Sequence, residues 1–190
     1  TVLDGTRGAV ANVSGVIYSE IYENDTDATD GNGIPSHSIA PVVQGGDSTD
    51  IAEAIALHKT PGTGTFGTTT VNVTDSKGMP LAIEFSRPTT YTVKVEITIA
   101  ATADYVSAYG DLIKEAVAAQ INVFGIGKDT LITKLYAPAY LNGTAPGQTY
   151  DVALLEIGKN AAPVAGINIP TDWDELPQCD PDTDVTIIVT

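Results

Sequence analysis

The stretch YTVKVEITIA, residues 91–100, alternates apolar and polar side chains from end to end. This period of two predicts a β-strand with one buried face. The residues that share that face are Val93, Val95, Ile97 and Ile99. Residues 103–124 follow with apolar side chains at helical spacing, which predicts a long amphipathic helix. The pair opens a second unit, and RPTT (87–90) is interpreted as a hinge before it.

The rest of this second unit mixes further helix and strand. Residues 129–141 are predicted to form a helix that ends near Pro138, and residues 150–158 a strand. Residues 159–183, rich in proline and aspartate, are predicted to be irregular, and DVTIIVT (184–190) to be a final strand. The predicted apolar face of the long helix comprises Leu112, Ile113, Ala116, Val117, Ala119, Gln120 and Ile121.

The chain is predicted to begin with a helix over residues 1–13. Thr1 and Asp4 have the spacing of a capping box, with Asp in place of the usual Glu or Gln. VIYSEIYE (16–23) then reads as a strand, because it is rich in β-branched and aromatic residues.

A second strand and a second helix follow. SIAPVVQ (38–44) is predicted to be a strand in which Pro41 indicates an edge or irregular position. Residues 51–59 are predicted to be a short helix capped by Ser48 or Thr49. Its expected inner face comprises Ile51, Ala54, Ile55 and His58.

Two alternating segments, 68–74 and 80–86, flank DSKG (75–78) and predict a hairpin. The expected fold class is therefore α+β: two small mixed α/β units, each a small sheet with helices packed on one face. The expected domains are residues 1–88 and 91–190.

The charge of the chain limits its partners. Twenty-four acidic residues against nine basic ones give a net charge of −15, and no segment gathers lysine or arginine. Nucleic acid and anionic membrane surfaces would be repelled, so neither is an expected partner. Cys179 is the only cysteine, which excludes an internal disulfide and a thiolate metal cluster.

PGTGTFG (61–67) contains the G-x-G-x-x-G spacing of dinucleotide-binding loops, at Gly62, Gly64 and Gly67. In those folds the loop leaves a strand and opens a helix, whose N-terminus faces the pyrophosphate. Here the loop leaves a helix and enters a hairpin strand. The loop is therefore interpreted as a connector whose glycines permit positive φ angles, with no cofactor.

The acidic loop 24–33 offers Asp25, Asp27, Asp30 and Asn32, which carry oxygen ligands of the kind calcium uses. The positions do not fit an EF-hand, and the favoured interpretation is a solvated turn that satisfies its own backbone. An adventitious cation site remains an alternative. The acidic stretch 172–184 is interpreted in the same way, with Trp173 packed against a core or a partner.

No catalytic constellation is apparent in the sequence. His37 is adjacent to Ser38, but neighbouring residues in an extended segment point to opposite faces. His58 is expected on a helix, packed or partly exposed, and Cys179 has no local base. The sequence therefore predicts no enzyme, and no catalytic, cofactor-binding or metal residue.

Seven segments in order resemble the baseplate J-like proteins of Mu-type contractile-tailed phages. They are YENDTD (22–27), GIPSHSI (33–39), V-x-GG (43–46), DIAEAI (50–55) with Lys59 nearby, PGTGTFG (61–67), TVNVTDSKG (70–78) and EFSRP (84–88). The strand and long helix that follow are also similar to the family's next unit. The family's N-terminal portion is missing from the sequence.

The resemblance implies a structural role in the baseplate wedge of a phage or prophage, in the virion, after assembly in the bacterial host cytoplasm. The implied partners are other wedge and hub proteins in a six-fold assembly, and no cofactor or active residue is implied. The expected contact elements are the loops 24–37 and 60–67, the segment 159–183, and edge strands such as 38–44 or 184–190.

A secreted calcium- or glycan-binding module is the alternative function. The acidic loops, the eight tyrosines and the lack of enzyme motifs are compatible with it.

Overall fold

A computed structural model describes residues 1–75 and 77–190, and the chain divides into two compact units, Thr1–Pro88 and Thr89–Thr190. Helices and small sheets occur in both units, which confirms the α+β class. The two predicted hairpin strands pair with each other, from Thr69 opposite Phe85 to Thr74 opposite Pro80. Ser76, in the predicted turn, lies outside the described residues.

The described residues of the first unit form two α-helices and five strands. In chain order these are α1 (Val2–Ala11), β1 (Val16–Asn24), β2 (Ser38–Gly45), α2 (Ser48–His58), β3 (Gly64–Thr65), β4 (Thr69–Thr74) and β5 (Pro80–Phe85). The predicted capping box of α1 is confirmed, because the Thr1 hydroxyl accepts a hydrogen bond from the Asp4 N–H at 3.2 Å. The helix ends at Ala11, two residues earlier than predicted.

Strand β2 is not an edge strand, which corrects the prediction for residues 38–44. It pairs with β1 along its length on one side and with β3 on the other. Beyond β3, the Ser86 N–H donates to the Pro41 carbonyl and the Val43 N–H donates to the Ser86 carbonyl. Pro41 therefore lies inside the sheet, with its carbonyl bonded on the side that faces β3 and Ser86.

Helix α2 begins earlier than predicted because Asp47 is its cap, rather than Ser48 or Thr49. The Asp47 carboxylate accepts hydrogen bonds from the N–H groups of Thr49, at 2.8 Å, and Asp50, at 3.2 Å. The helix buries Ile51, Ala52 and Ile55, while Ala54 is half-buried and His58 is exposed. His58 is therefore outside the apolar face on which it was predicted.

Arg87 fixes the turn between β2 and α2, where Gly45 and Gly46 both have positive φ angles. Its guanidinium donates to the carbonyls of Val43 at 3.1 Å, of Gly46 at 3.0 Å, and of Gly45. A further bond, of 2.9 Å, goes to the Ser48 hydroxyl. The planar fork of donors suits several carbonyls converging at one turn.

The second unit is built on a long strand. Its elements are β6 (Thr89–Ala101), α3 (Ala108–Asn122), α4 (Tyr136–Ala139), β7 (Tyr150–Lys159), β8 (Val164–Ala165), β9 (Glu175–Gln178) and β10 (Val185–Val189). Strand β6 pairs with β7 on one side, and with β9 and then β10 on the other. The segment 159–183, predicted to be irregular, thus contains two short strands.

The predicted helix over residues 129–141 is broken. A 3₁₀ turn, Ile132–Leu135, precedes the four residues of α4. Thr130 is held extended by reciprocal hydrogen bonds of 3.0 Å with Ile169, so a helix cannot begin there. Pro138 lacks the N–H that a longer helix would use.

One face of β6 packs on α3 to form the core of this unit, as the alternation predicted. The buried residues of α3 are Gly110, Ile113, Val117, Ala118 and Ile121. Leu112 and Ala119, predicted on this face, are exposed, because the buried positions 113, 117 and 121 repeat every four residues.

We expect Arg87→Ala to lower the free energy of unfolding by about 2–3 kcal/mol, because charge-assisted bonds to several carbonyls are lost together. Arg87→Lys should recover part of the loss, since an ammonium does not reproduce the fork. Urea denaturation followed by circular dichroism measures both. Lys77→Ala removes an exposed cation of the same unit and should change stability by less than about 0.5 kcal/mol; an equal loss in both alanine variants would contradict the proposed role of Arg87.

The cap of α2 makes stability depend on pH. The backbone N–H groups of Asp50 and Thr49 hold the pKa of Asp47 below its ordinary value of 3.8. The ionised Asp47 cap therefore stabilises the folded state at neutral pH, and this stabilisation is lost as the pH falls through the lowered folded-state pKa. Asp47→Asn keeps an acceptor but cannot titrate, so its Tm should fall less steeply than that of the wild type between pH of about 5 and about 2. Parallel curves would contradict the assignment.

Candidate functional site

The edge of β6 that carries β9 is closed by side chains and loops. The carbonyl of Glu175, which points away from β6, accepts a hydrogen bond from the Gly127 N–H at 2.9 Å. Pro177 has no N–H to offer. The side-chain amide of Asn122 bonds both the N–H and the carbonyl of Cys179, each at 2.9 Å. No further strand can add beside β9.

Strand β10 continues along the same edge but is open. It pairs with β6 in unbroken parallel register, from Val185 opposite Val95 to Val189 opposite Ile99. The Thr190 N–H donates to the Ile99 carbonyl at 2.9 Å. Even-numbered residues of β10 therefore face β6, and odd-numbered ones direct their N–H and carbonyl groups outward. In the described part of the chain, nothing pairs with these outward groups.

The composition of β10 offers no protection for this edge. DVTIIVT has no lysine, no proline and no bulge, and six of its seven residues are β-branched Val, Ile or Thr. Ile188 and Val189 are 39% and 52% exposed. Proteins usually blunt such edges with charges, prolines or bulges, so an open, regular edge is a candidate pairing surface.

A groove of about 370 Å³ lies between β10 and α3. The residues that line the groove include Tyr105, Gly110, Asp111, Lys114, Asp182 and Ile187. We define the β10 edge as residues 185–189 together with this groove. The sequence indicated the strand, but the groove arises from tertiary packing and has no sequence signal.

Two other strand edges differ from the β10 edge. The outer edge of β1 is covered at Ile21, whose N–H donates to the Glu20 carboxylate at 3.3 Å and whose carbonyl accepts from Arg7 at 2.7 Å. Strand β8 has two residues and follows Pro163.

The acidic loop is organised around its own backbone. The buried Asn24 amide donates to the carbonyls of Ala28 and Ile34, both at 2.8 Å. Asp30 accepts from the N–H groups of Asn32 and Ile34, both at 2.9 Å. Asp25 and Asp27 are exposed. Within residues 1–75 and 77–190, no three metal-ligating side chains converge.

The histidines are on the surface. His37 has a φ of 52°, and its Nε2 lies 3.0 Å from Asp27 Oδ1, with the two side chains 61% and 100% exposed. Ser38 is buried and its hydroxyl donates to the Ser36 carbonyl at 3.2 Å, away from His37. A histidine beside a carboxylate is thus present, but in solvent rather than in a pocket.

The three glycines of PGTGTFG serve different purposes. Gly62 has a φ of 86°. Gly64 and Gly67 do not have positive φ, which corrects that part of the prediction. A Cβ on Gly64 would lie 2.5 Å from the Ser38 hydroxyl, and one on Gly67 would lie 2.2 Å from the Phe85 carbonyl carbon. Gly64 and Gly67 are therefore required by close packing rather than by a phosphate. The loop also contains a short strand, β3.

Cys179 is buried, and its burial raises the pKa of its thiol to about 12. Trp173 is half-buried. In the stretch 172–184, Asp180 accepts from the N–H groups of Asp182 and Thr183, so its carboxylate shapes a turn.

The sequence matches no protein-family model, and no curated protein matches it. Among the residues that the structure describes, the helices are too short or too polar to span a bilayer.

We expect Gly67→Ala to destabilise the chain by about 2 kcal/mol or more, because the added methyl overlaps the Phe85 backbone. Gly31→Ala is the matched control, since a Cβ there meets nothing within 4 Å; it should change stability by less than about 0.5 kcal/mol. Denaturant melts of both variants provide the measurement. A tolerated Gly67→Ala would show that this contact is not what requires glycine.

Proposed function

We propose that this chain is a structural component of a contractile-tail baseplate wedge in a phage or prophage, and that it acts by protein–protein assembly. The observation that carries the proposal is the ordered resemblance of seven segments between residues 22 and 88. The proposed partners are other wedge and hub proteins in a six-fold assembly, and the proposed location is the tail baseplate of the virion.

The segments that carry the resemblance contain residues that hold the first unit together. Asn24 organises the acidic loop, Arg87 binds the carbonyls at Gly45 and Gly46, and Gly67 packs against the Phe85 backbone. Residues whose work is to fix loops and turns suit a protein whose function depends on shape. This supports a building block rather than a catalyst.

The groups with strongly raised pKa values also support this proposal. Burial raises the pKa of Tyr150 to about 12, and its hydroxyl donates to the Ala139 carbonyl at 2.7 Å. Cys179 has its backbone tied to Asn122 and its thiol buried. Both residues belong to the apolar core of the second unit, so their raised pKa values reflect packing.

Contractile tail particles from the organism that encodes this chain provide the test. A gold-labelled antibody against the chain should decorate the baseplate end of the tail in electron micrographs, and deletion of the gene should leave sheaths and tubes unassembled. Normal, infective tails after the deletion would overturn the proposal. Micromolar calcium binding with a large thermal shift would instead favour the calcium-binding alternative.

A further inference from the structure

We propose that the β10 edge accepts an extended, basic segment of another protein as an added strand. The proposal goes beyond the baseplate role and does not depend on it. It rests on the open backbone groups of β10, on the groove beside them and on the charge of that groove.

The backbone of β10 presents a complete pairing pattern. Val185, Ile187 and Val189 each direct one N–H and one carbonyl outward, and the register with β6 has no shift between them. The neighbouring residues on this edge, Glu175 and Cys179, have their outward groups bonded. An added strand would therefore begin beyond Cys179 and pair with β10.

The groove supplies room for the side chains of that strand. Val185 and Ile187 pack into the core on the α3 side of the sheet, so alternate residues of an added strand would point to the same side. Gly110 on α3 has no side chain there, and the Tyr105 hydroxyl would lie 3.3 Å from a Cβ built on it. The lining that such side chains would meet includes Ile187 and the Tyr105 hydroxyl.

The charge of the groove favours a basic partner over a second copy of this chain. Asp111 and Asp182 line the groove, and Lys114 is the one base among its described lining residues. A second copy would bring the same acidic groups together, in a chain whose net charge is −15. A strand that carries lysine or arginine gains attraction at the same positions. The occupant is therefore a basic extended segment of another protein.

Binding of a capped peptide composed of valine, threonine and lysine to the full chain tests the proposal, with a glutamate-for-lysine peptide as its control. The lysine peptide should bind, and should slow hydrogen exchange at the amides of Val185, Ile187 and Val189. The glutamate peptide should bind at least about tenfold more weakly at low salt.

Val189→Pro and Val189→Ala form a matched pair. Both substitutions replace the exposed valine side chain. Only proline also removes the outward N–H and places a ring on the edge. The Val189 N–H points away from β6, so neither substitution breaks a bond to β6. Proline should weaken peptide binding at least about tenfold, and alanine should leave it nearly unchanged. Circular dichroism establishes that both variants fold.

Asp111→Asn and Asp182→Asn keep the proposal testable if the proline variant does not fold. Each substitution should lower the affinity for the lysine peptide by roughly threefold without lowering the Tm. Failure of the lysine peptide to bind, equal binding to Val189→Pro and Val189→Ala, or equal affinity for the two peptides would each overturn the proposal. So would a dimer of the chain that Val189→Pro dissociates, because it would make the second copy the occupant.

Discussion

Backbone hydrogen bonding along both edges of β6 is the constraint on which the second unit depends. Strand β7 occupies one edge, and β9 and β10 divide the other between them. The change from one strand to the next requires a tight turn, which the acidic residues supply: the Asp184 carboxylate accepts from the Asp180 N–H at 2.9 Å and from Lys94 at 2.6 Å. Aspartates that suggest a cation site in the sequence therefore act as acceptors within a turn.

Long-range bonds between side chains and backbone hold several segments of the chain. Arg87 reaches the turn at Gly45 and Gly46, Asn122 reaches Cys179, and Asn160 accepts from the Thr92 N–H at 2.8 Å. Each satisfies backbone groups that have no strand partner in the described part of the chain.

The sequence predicted those elements whose signal is local. The alternation of residues 91–100, the Thr1–Asp4 capping box and the hairpin around residues 75–78 depend on neighbours in the chain. Prediction failed where a distant partner decides the conformation: Ile169 holds Thr130 extended, and Ser86 accommodates Pro41 inside a sheet. The open strand at 184–190 was visible as a pattern. Its groove was not, because α3 forms the other wall.

The same physics explains why the β10 edge differs from the rest of the surface. Closing an edge requires a donor or acceptor brought from elsewhere, as Arg7 and Glu20 do for Ile21 and as Asn122 does for Cys179. The outward groups of β10 receive no such donor or acceptor from the described residues. Strand β9, which lies on the same edge of β6, is closed. An edge left open beside a closed one is a local property of the fold. It places the capacity for strand pairing at one defined stretch, where a partner can complete the sheet without any change in the strands already present.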